Sequence, residues 1–399
     1  MNLFSCRLGV IALCLAALGA RADIVADWAD TTTEIATDGP NTIRTMALAQ
    51  QAVYQAVNAI TGQFPGDRVD FGPASGASID AAISAASRAV LLHEAPALQA
   101  RIEAVYGKVL GTIDDNDARS RGIAVGERAA ADVLSKHAHD VGDIEPYRPL
   151  TTPGVFVPTT LPLGVAVAQY RPWFMTSAAQ FRPGPPPDLK SAAWARDYNE
   201  TKALGALAST VRTPQQTEIA RFWATALPDV YSGILRSVDT APGREVTRNA
   251  RFYAALTAAL NEAEIAVFEA KYHYQFWRPI TAIRNGDRDG NPATERDPGW
   301  SPMIVTPIQP EYPCGHCILS STVATVIRLD IGPGPMPTLR ATSNTAPGVT
   351  REWAHPEDLA REVSEARIYD GVHFRSSAEA GKKMGEQIGA LVANAYRLP

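Results

Sequence analysis

The sequence predicts an all-α protein. Apolar residues recur at helical spacing along most of its 399 residues, and few runs alternate between apolar and polar residues as strands do. Helix-capping signals are also present, for example at Thr213-Pro214-Gln215-Gln216, where a capping threonine precedes proline and glutamine in the first turn. No predicted strand leads into a glycine-rich phosphate-binding turn, so we do not expect a βαβ dinucleotide-binding domain.

The first 22 residues resemble a secretory signal peptide. Arg7 precedes an apolar run over residues 8–20, and Ala20-Arg21-Ala22 has the small-x-small pattern of a cleavage site. These 13 apolar residues are fewer than the roughly 20 needed to span a bilayer, and no later stretch is long enough. We therefore expect an exported protein, periplasmic or secreted, with no membrane span.

The composition is that of a globular, acidic protein. With 46% hydrophobic residues the chain can bury a large core, and its formal net charge is −5. Loss of Arg7 and Arg21 with the signal makes the mature chain more acidic still. We do not expect it to bind nucleic acid, and any cationic site must be a local concentration of charge.

Residues 23–187 are predicted to form an N-terminal helical region with a packed loop. Apolar spacing predicts helices over 42–60, 79–92, 102–113 and 123–134. Residues 146–187 contain ten prolines and cannot form regular helix. Several aromatic residues in this stretch favour a packed loop over a flexible linker: Tyr147, Phe156, Tyr170, Trp173, Phe174 and Phe181.

Residues 188–399 are predicted to form the C-terminal helical domain that carries the functional site, with a boundary near residue 187. A proline-rich loop is expected over 285–313. The apolar pattern places the helices of this domain over 188–209, from 214, and over 244–283, 315–329, 356–365 and 377–396.

Lys271 and Arg278 form the first cationic motif. They lie seven residues apart in a stretch that is predicted to be helical, so both side chains would point to nearly the same side. Pro279 would kink or end the helix and fix the direction of the guanidinium. Taken alone, such a pair is more typical of a solvated cationic face than of a binding site.

Two further segments complete the set. Pro313-Cys314-Gly315-His316-Cys317 opens an apolar helix, and a helix N-terminus beside a glycine offers free backbone N–H groups to an anion. Arg367 and His373 are six residues apart across a glycine, so a turn must bring them together. The informative feature is the ordered combination of Lys-x6-Arg-Pro, Pro-x-Gly-His and Arg-x5-His.

This combination resembles the three motifs shared by vanadium-dependent haloperoxidases, bacterial acid phosphatases and type 2 phosphatidic acid phosphatases. Residues 180–183, 197–200 and 217–223 further resemble the soluble bacterial haloperoxidase-like proteins, so the resemblance covers nearly the whole mature chain. It implies an α-helical bundle of the vanadium haloperoxidase and acid phosphatase type. The site would lie among helices of the C-terminal half.

The resemblance also implies a role for each motif residue. Lys271, Arg278 and Arg367 would neutralise the oxygens of a bound oxyanion, and Gly315 and Cys314 would add donors. His373 would be the apical ligand of a vanadate cofactor or, with phosphate in its place, the nucleophile of a phosphatase. His316 would be the acid/base.

The sequence departs from the family pattern in three places. The residue before the glycine of the second motif is usually serine, and here it is Cys314, whose thiol is a weaker donor. The position four residues beyond the histidine usually carries an aspartate that orients the imidazole, and here it is Ser377. Ala366 replaces the serine that usually precedes Arg367.

Cys314 and Cys317 are the only cysteines outside the predicted signal, so a disulfide framework is excluded. Peroxide or hypohalous acid would oxidise a free thiol, whereas a bridge between these two residues would prevent this. The Cys-Gly-His-Cys string also resembles the active site of disulfide isomerases. That alternative is disfavoured because no strand-helix-strand pattern surrounds the motif.

Three functions are compatible with the sequence. The preferred one is a vanadate-dependent haloperoxidase that oxidises halide with hydrogen peroxide. The alternatives are an acid phosphatase that acts on phosphomonoesters through a phosphohistidine, and a homologue that binds phosphate or vanadate without turnover. Whether the protein forms a homo-oligomer is also left open.

Overall fold

The structure, a computed structural model, describes residues 23–36, 41–225 and 227–398, and within them it leaves out the side chains of 227–229. The predicted signal peptide, residues 1–22, lies outside the described residues. The described chain is mostly helical, with one two-stranded sheet, which confirms the all-α prediction. None of its helices is long and apolar enough to cross a membrane.

Five α-helices of the described residues precede the proline-rich segment. The structure confirms the four predicted helices, with ends shifted by a few residues, and adds an unpredicted first helix. Ser78 and Asn116 cap two of them by accepting backbone hydrogen bonds from Ala81 and Arg119. The five are α1 (Ile24–Ala36), α2 (Thr42–Thr61), α3 (Ile79–Glu94), α4 (Gln99–Leu110) and α5 (Asp117–Lys136).

The proline-rich segment over 146–187 is an irregular loop packed on the helices, as predicted. Its one helical element is the short 3-10 helix Val167–Gln169. The buried Glu262 carboxylate accepts hydrogen bonds from the backbone N–H groups of Trp173 (2.7 Å), Phe174 (3.0 Å) and Met175 (2.7 Å). One buried side chain therefore fixes the path of the loop where prolines prevent helical hydrogen bonding.

Where the structure describes it, the C-terminal region contains eight α-helices, the short 3-10 helix Gly286–Arg288 and the sheet. The sheet is an unpredicted antiparallel hairpin in which Leu339 pairs with Trp353. Thr213 and Gln216 form the predicted capping box. In chain order the elements are α6 (Ala192–Leu204), α7 (Pro214–Phe222), α8 (Leu227–Asp239), α9 (Val246–Tyr274), α10 (Pro279–Arg284), α11 (Gly315–Ile331), β1 (Leu339–Thr342), β2 (Thr350–Trp353), α12 (Pro356–Tyr369) and α13 (Arg375–Ala395).

The prediction of one continuous helix over 244–283 is wrong, because the structure has two helices there that are separated at residues 275–278. α9 ends at Tyr274, Gln275 takes a left-handed conformation (φ 48°), and Arg278 precedes α10, whose first residue is Pro279. Proline suits the first helical position because it needs no N–H partner there. Lys271 and Arg278 therefore do not share a helical face, and a sharp turn between two helices brings them together.

Close packing of α11 on α13 sets the site beside the core. A Cβ on Gly385 would lie 2.2 Å from the carbonyl oxygen of Ile318, and one on Gly381 would lie 2.5 Å from that of Cys314. Only glycine allows backbones to approach this closely. The main apolar core contains residues from both sides of the predicted boundary near 187, such as Val57 of α2 and Leu256 of α9.

Candidate functional site

The three sequence motifs meet in one buried cluster. Lys271 lies in the last turn of α9 and Arg278 in the turn that follows it, whereas Arg367 lies in the last turn of α12. His373 follows α12 in the link to α13, and Gly315 is the first residue of α11. The chain thus collects these groups at the ends of helices, where side chains and free backbone groups can converge.

Lys271 is completely buried and its ammonium group is held by backbone carbonyls. Its Nζ donates to the oxygens of Pro310 and Glu311, both at 2.9 Å. Burial and the nearby Arg278 lower the pKa of Lys271 well below its ordinary value. A bound anion would favour the charged ammonium and reverse this effect.

Arg278 is anchored on one side and free on the other. Its Nε donates to the Gln309 oxygen and its Nη1 to the Val372 oxygen, both at 2.8 Å. Nη1 is also 3.1 Å from His373 Nε2, whereas the buried Nη2 has no hydrogen-bond partner among the described residues. Burial lowers the pKa of Arg278 to about 9, so the guanidinium stays charged at neutral pH.

Arg367 is arranged in a similar way. Its Nη1 donates to the Trp223 oxygen at 2.9 Å and lies 2.6 Å from Asp370 Oδ2. Its buried Nε has no hydrogen-bond partner in the described part of the chain. Burial raises the pKa of Asp370 to about 7, although Arg367 opposes the shift.

The residue that sequence reasoning missed is Glu311. Its fully buried carboxylate accepts from His373 Nδ1 at 2.7 Å and from the Phe374 backbone N–H at 3.0 Å, both at Oε1. Burial raises the pKa of Glu311 to about 7, against the effect of Arg278 and Lys271. Its signal in the sequence is a lone acid in the apolar, proline-rich run Pro310-Glu311-Tyr312-Pro313.

Glu311 contacts His373 in place of the aspartate that is usual at position 377, which is Ser377 here. The Ser377 hydroxyl lies 3.4 Å from His373 Nδ1, at the edge of hydrogen-bonding distance. The carboxylate that this position lacks is supplied instead from another segment. Because Nδ1 faces Glu311, the opposite nitrogen, Nε2, faces Arg278 and the cationic cluster.

His316 lies at the open side of the cluster. It is half-buried, as is Gly315, whereas Lys271, Arg278 and His373 are almost fully buried. Its Nε2 is 3.2 Å from the Thr225 backbone oxygen. Burial and the charge of Arg367 lower the pKa of His316 well below its ordinary value, so the imidazole is neutral.

Cys314 and Cys317 form a disulfide bond, the pairing that would protect both thiols from oxidation. A bridged sulfur has no S–H to donate, and the Cys314 backbone N–H donates to the Ser377 oxygen at 3.2 Å. The predicted contribution of Cys314 as a donor to the oxyanion is therefore wrong. Both sulfurs are buried among helices, which also argues against a thiol oxidoreductase that must present a cysteine to a partner.

Aromatic residues fix the two segments that carry Arg278 and His373. Trp277 and Phe374, the chain neighbours of these two residues, both pack against Trp194 of α6. The Trp194 indole donates to Asp289 Oδ2 at 2.7 Å. Phe276, Trp277 and Phe374 therefore have packing roles around the site.

The residues present fit a tetrahedral oxyanion. Three cations converge, and two guanidinium nitrogens, Arg278 Nη2 and Arg367 Nε, are buried without a hydrogen-bond partner among the described residues. Buried donors of this kind are normally satisfied by a ligand or by water. The N-terminus of α11 adds backbone N–H groups and a positive dipole end.

Comparisons with known proteins point to the same class of proteins as the sequence motifs do. Residues 251–398 match the model of the VCPO second helical-bundle domain. The vanadium chloroperoxidase of Curvularia inaequalis is 25% identical over 277 residues, which is 52% of this chain and 45% of that protein. The match thus spans less than half of the length of this relative.

Solved structures are similar over nearly the whole chain. A bacterial vanadium-dependent iodoperoxidase superposes with a TM-score of 0.76 at 21% identity, covering 93% of this chain and 95% of the other. The holo form of a bacterial vanadium-dependent chloroperoxidase gives a TM-score of 0.73 at 18% identity, with 94% and 96% covered. The family resemblance of the motifs is confirmed: the chain has the fold of the bacterial vanadium haloperoxidases, and its residues 251–398 correspond to the VCPO second helical-bundle domain.

Proposed function

We propose that this chain is an exported vanadate-dependent haloperoxidase that oxidises halide with hydrogen peroxide at a vanadate bound to His373. The observation that carries the proposal is the orientation of the His373 imidazole. Glu311 holds Nδ1 at 2.7 Å, so Nε2 faces a cluster of buried cations with unused donors.

The residues that would hold the vanadate are Lys271, Arg278 and Arg367 through their charges, Gly315 through its backbone N–H, and His373 through Nε2. When bound, vanadate supplies a Lewis acid that activates peroxide without changing its own oxidation state. In the overall reaction, halide, hydrogen peroxide and one proton give hypohalous acid and water. The two electrons pass from halide to peroxide.

Glu311 sets the protonation state that His373 needs. When it is ionised, the carboxylate accepts the hydrogen of Nδ1, and the lone pair of the imidazole is then on Nε2. Burial and the charge of Arg278 lower the pKa of His373 well below its ordinary value, which keeps the ring neutral. A neutral Nε2 is the form that can bind a metal centre or attack phosphorus.

His316 would take the proton that peroxide loses. Its Nε2–H can donate to the Thr225 oxygen at 3.2 Å, which leaves Nδ1 as the basic nitrogen. Because the ring is partly exposed at the edge of the cluster, a proton that it accepts can pass on to solvent.

The test is a halogenation assay on the purified mature protein. Monochlorodimedone is mixed with peroxide and chloride, bromide or iodide, with and without added orthovanadate. The proposal predicts turnover that requires vanadate and is lost in His373→Ala. Turnover that is equal without vanadate, or that persists in His373→Ala, would contradict it.

A second candidate, an acid phosphatase, is favoured by the same carboxylate. A Glu311-oriented imidazole has the partner that a phosphohistidine nucleophile requires. Hydrolysis of p-nitrophenyl phosphate that is inhibited by vanadate, without halogenation, would support this alternative. Inactivity in both assays would support a homologue that binds the anion without turnover.

The proposal that the protein is exported rests on the resemblance of residues 1–22 to a secretory signal peptide. Expression of the full chain in a bacterium with a secretion pathway should yield a processed protein whose first residue is Asp23. Retention of the unprocessed chain in the cytoplasm would contradict export and would leave the enzymatic proposal untouched.

A further inference from the structure

A cleft of about 970 Å³ opens between α1, α4 and the link from α8 to α9. It is lined by residues between 23 and 31, between 105 and 112, and between 239 and 249, and none of the described residues of the oxyanion cluster lines it. We call it the α1–α4 cleft. Its volume lies near the upper end of the range of roughly 300 to 1,000 Å³ that is typical of sites for small molecules.

Asp239, at the end of α8, presents an unpaired carboxylate oxygen to this cleft. The residue is only 3% exposed, and its Oδ2 accepts from the Tyr253 hydroxyl at 2.6 Å. Its Oδ1 is buried and has no hydrogen-bond partner among the described residues, although Asp239 lines the cleft. Burial raises the pKa of Asp239 to about 6, so the carboxyl group is largely ionised at neutral pH. A desolvated carboxylate oxygen of this kind favours a positively charged donor.

Arg244 presents an unpaired guanidinium nitrogen to the same cleft. Its side chain is 3% exposed, its Nη1 is paired with the buried Asp330 carboxylate, and its Nε donates to Asn249 Oδ1 at 2.7 Å. Its Nη2 is buried and has no hydrogen-bond partner in the described part of the chain. Because the other two nitrogens fix the orientation of the guanidinium, Nη2 is a fixed donor that favours an oxyanion such as a carboxylate.

Asn249 holds these two groups next to each other. The residue is 1% exposed and lines the cleft. Its Oδ1 accepts from Arg244 Nε, and its Nδ2 donates to the Asp239 backbone oxygen at 3.1 Å. Asp239 and Arg244 are therefore both in contact with one short side chain. A ligand that satisfies both buried atoms must carry a cationic donor close to an anionic acceptor, and an α-amino acid carries the two on a single carbon.

The other acidic groups near this pair already have partners. Asp23 accepts from Asn249 Nδ2 and from the backbone N–H of Val25 at 2.9 Å. Asp27 lies 2.7 Å from a nitrogen of the Arg236 guanidinium. The remaining charged residues of the lining, which carry opposite charges, are Asp80 and Lys108. Asp239 Oδ1 and Arg244 Nη2 are thus the buried charged atoms of the cleft that a ligand can pair.

Apolar side chains form the rest of the wall. Val105 and Val109 are four residues apart on α4 and therefore lie on one face of that helix. The full apolar set is Ile24, Trp28, Val105, Val109 and Val246. This wall suits an apolar side chain on the ligand, because such a side chain is transferred there from water.

We propose that the α1–α4 cleft binds a free α-amino acid with an apolar side chain. Its ammonium group would donate to Asp239 Oδ1, its carboxylate would accept from Arg244 Nη2, and its side chain would lie against the apolar wall. This function goes beyond the proposed haloperoxidase activity and does not depend on it, since no residue of the oxyanion cluster takes part. A chain without peroxidase activity would bind the amino acid equally well.

The test is isothermal titration of the mature protein with L-phenylalanine and two analogues, in the absence of vanadate. 3-Phenylpropionate lacks the ammonium group and 2-phenylethylamine lacks the carboxylate, whereas all three carry the same phenyl group. We expect each analogue to bind at least tenfold more weakly than L-phenylalanine, because each leaves one buried charge of the protein unpaired.

Two variants assign each charge to its partner. Asp239→Asn keeps an oxygen for the Tyr253 hydroxyl, and it should weaken L-phenylalanine binding at least tenfold without weakening that of 3-phenylpropionate. Arg244→Lys keeps a cation for Asp330, and it should weaken L-phenylalanine binding at least fivefold without weakening that of 2-phenylethylamine.

Asp358→Asn, at an exposed ion pair with Arg361, is the control and should bind all three ligands like wild type. Thermal unfolding shows whether Arg244→Lys folds. If it does not, the analogue series on wild type and Asp239→Asn still decide the question.

No binding of L-phenylalanine to wild type, or equal affinity in wild type and Asp239→Asn, would overturn the proposal. So would equal affinity for L-phenylalanine and 2-phenylethylamine, since the site would then recognise a cation alone. The competing partner of Asp239 is the α-amino group of the processed chain at Asp23, which also lines the cleft. If that group occupied Oδ1, wild type would bind 3-phenylpropionate at least as tightly as L-phenylalanine, which would also overturn the proposal.

Discussion

Glu311 contacts two residues of the site at once. Its backbone oxygen accepts from Lys271 Nζ at 2.9 Å, and its side chain accepts from His373 Nδ1 at 2.7 Å. Loss of the side-chain charge would leave the backbone contact in place. The carboxylate can therefore be tested by itself.

Glu311→Gln should weaken vanadate binding and turnover by about 10- to 100-fold, as is usual when the partner of a metal-binding histidine is removed. The amide can donate to Nδ1 and so favour the tautomer with hydrogen on Nε2. Isothermal titration of orthovanadate and the steady-state rate give both quantities. Glu352→Gln, at an exposed ion pair with Arg340, is the control and should change neither. Unaltered vanadate affinity in Glu311→Gln would refute the orienting role.

The two histidines should separate binding from turnover. His316→Ala removes the proton acceptor but no proposed ligand, so we expect kcat to fall about 100-fold or more with vanadate affinity within fivefold of wild type. His373→Ala should lose both. A His316→Ala variant that lost vanadate affinity as completely as His373→Ala does would contradict the proposed role of His316.

Most of the site could be predicted from the sequence because its residues lie in three short motifs. The structure brings together the residues that the motifs implied: Lys271, Arg278, Gly315, Arg367, His316 and His373. Glu311 could not be predicted, since its contact with His373 joins residues that are 62 positions apart. The disulfide likewise removes Cys314 as a donor, which only its pairing with Cys317 reveals.

At the scale of elements, helix ends position the chemistry. The break after Tyr274 turns Arg278 toward His373, and periodicity could not predict it because the apolar pattern continues from α9 into α10. The hairpin β1–β2 was missed for a related reason. Its strands have only four residues each, which is too short for alternation to be read.

Gly385→Ala should test the packing of α11 on α13. The added Cβ would lie 2.2 Å from the Ile318 oxygen, so the helices must move apart at a cost of about 1 to 3 kcal/mol or more. Thermal unfolding should occur at a lower Tm. Gly107→Ala in α4 is the control, because no heavy atom lies within 4 Å of its new Cβ and alanine favours helix by about 1 kcal/mol. A Gly385→Ala protein as stable as wild type would contradict the close approach.

At the scale of the whole molecule, buried carboxyl groups make stability depend on pH. Asp239 at the end of α8 accepts from the Tyr253 hydroxyl of α9 at 2.6 Å, and burial raises its pKa to about 6. Between the ordinary aspartate value near 4 and about 6, the folded state holds a proton that the unfolded state has lost. This contribution to stability is present below about pH 4 and is lost as the pH rises to about 6.

Asp239→Asn should remove that dependence. Relative to the variant, wild type should lose about 2 to 3 kcal/mol of unfolding free energy between pH 4 and pH 7, since one pKa unit corresponds to about 1.4 kcal/mol. Urea unfolding at several pH values measures the difference, and the other buried carboxyls cancel because both proteins contain them. Parallel pH profiles for the two proteins would show that Asp239 does not titrate in this way.

The all-α architecture and the location of the site were predicted because apolar periodicity and motif order are local properties of the chain. The apolar cleft that Arg278 lines together with residues 156–159 and 302–308 was not predicted. These two segments are about 150 residues apart in the chain and meet only in the fold. Both segments belong to proline-rich stretches, for which apolar periodicity predicts only irregular structure.

The most direct test of the central claim is the binding of orthovanadate to the mature protein, measured by isothermal titration with phosphate as a competitor. Wild type should bind one vanadate per chain, and phosphate should displace it. His93→Ala, at an exposed histidine, should bind like wild type, whereas His373→Ala should bind at least 100-fold more weakly. Absence of binding to wild type, or equal binding to His373→Ala, would contradict an oxyanion site built on His373.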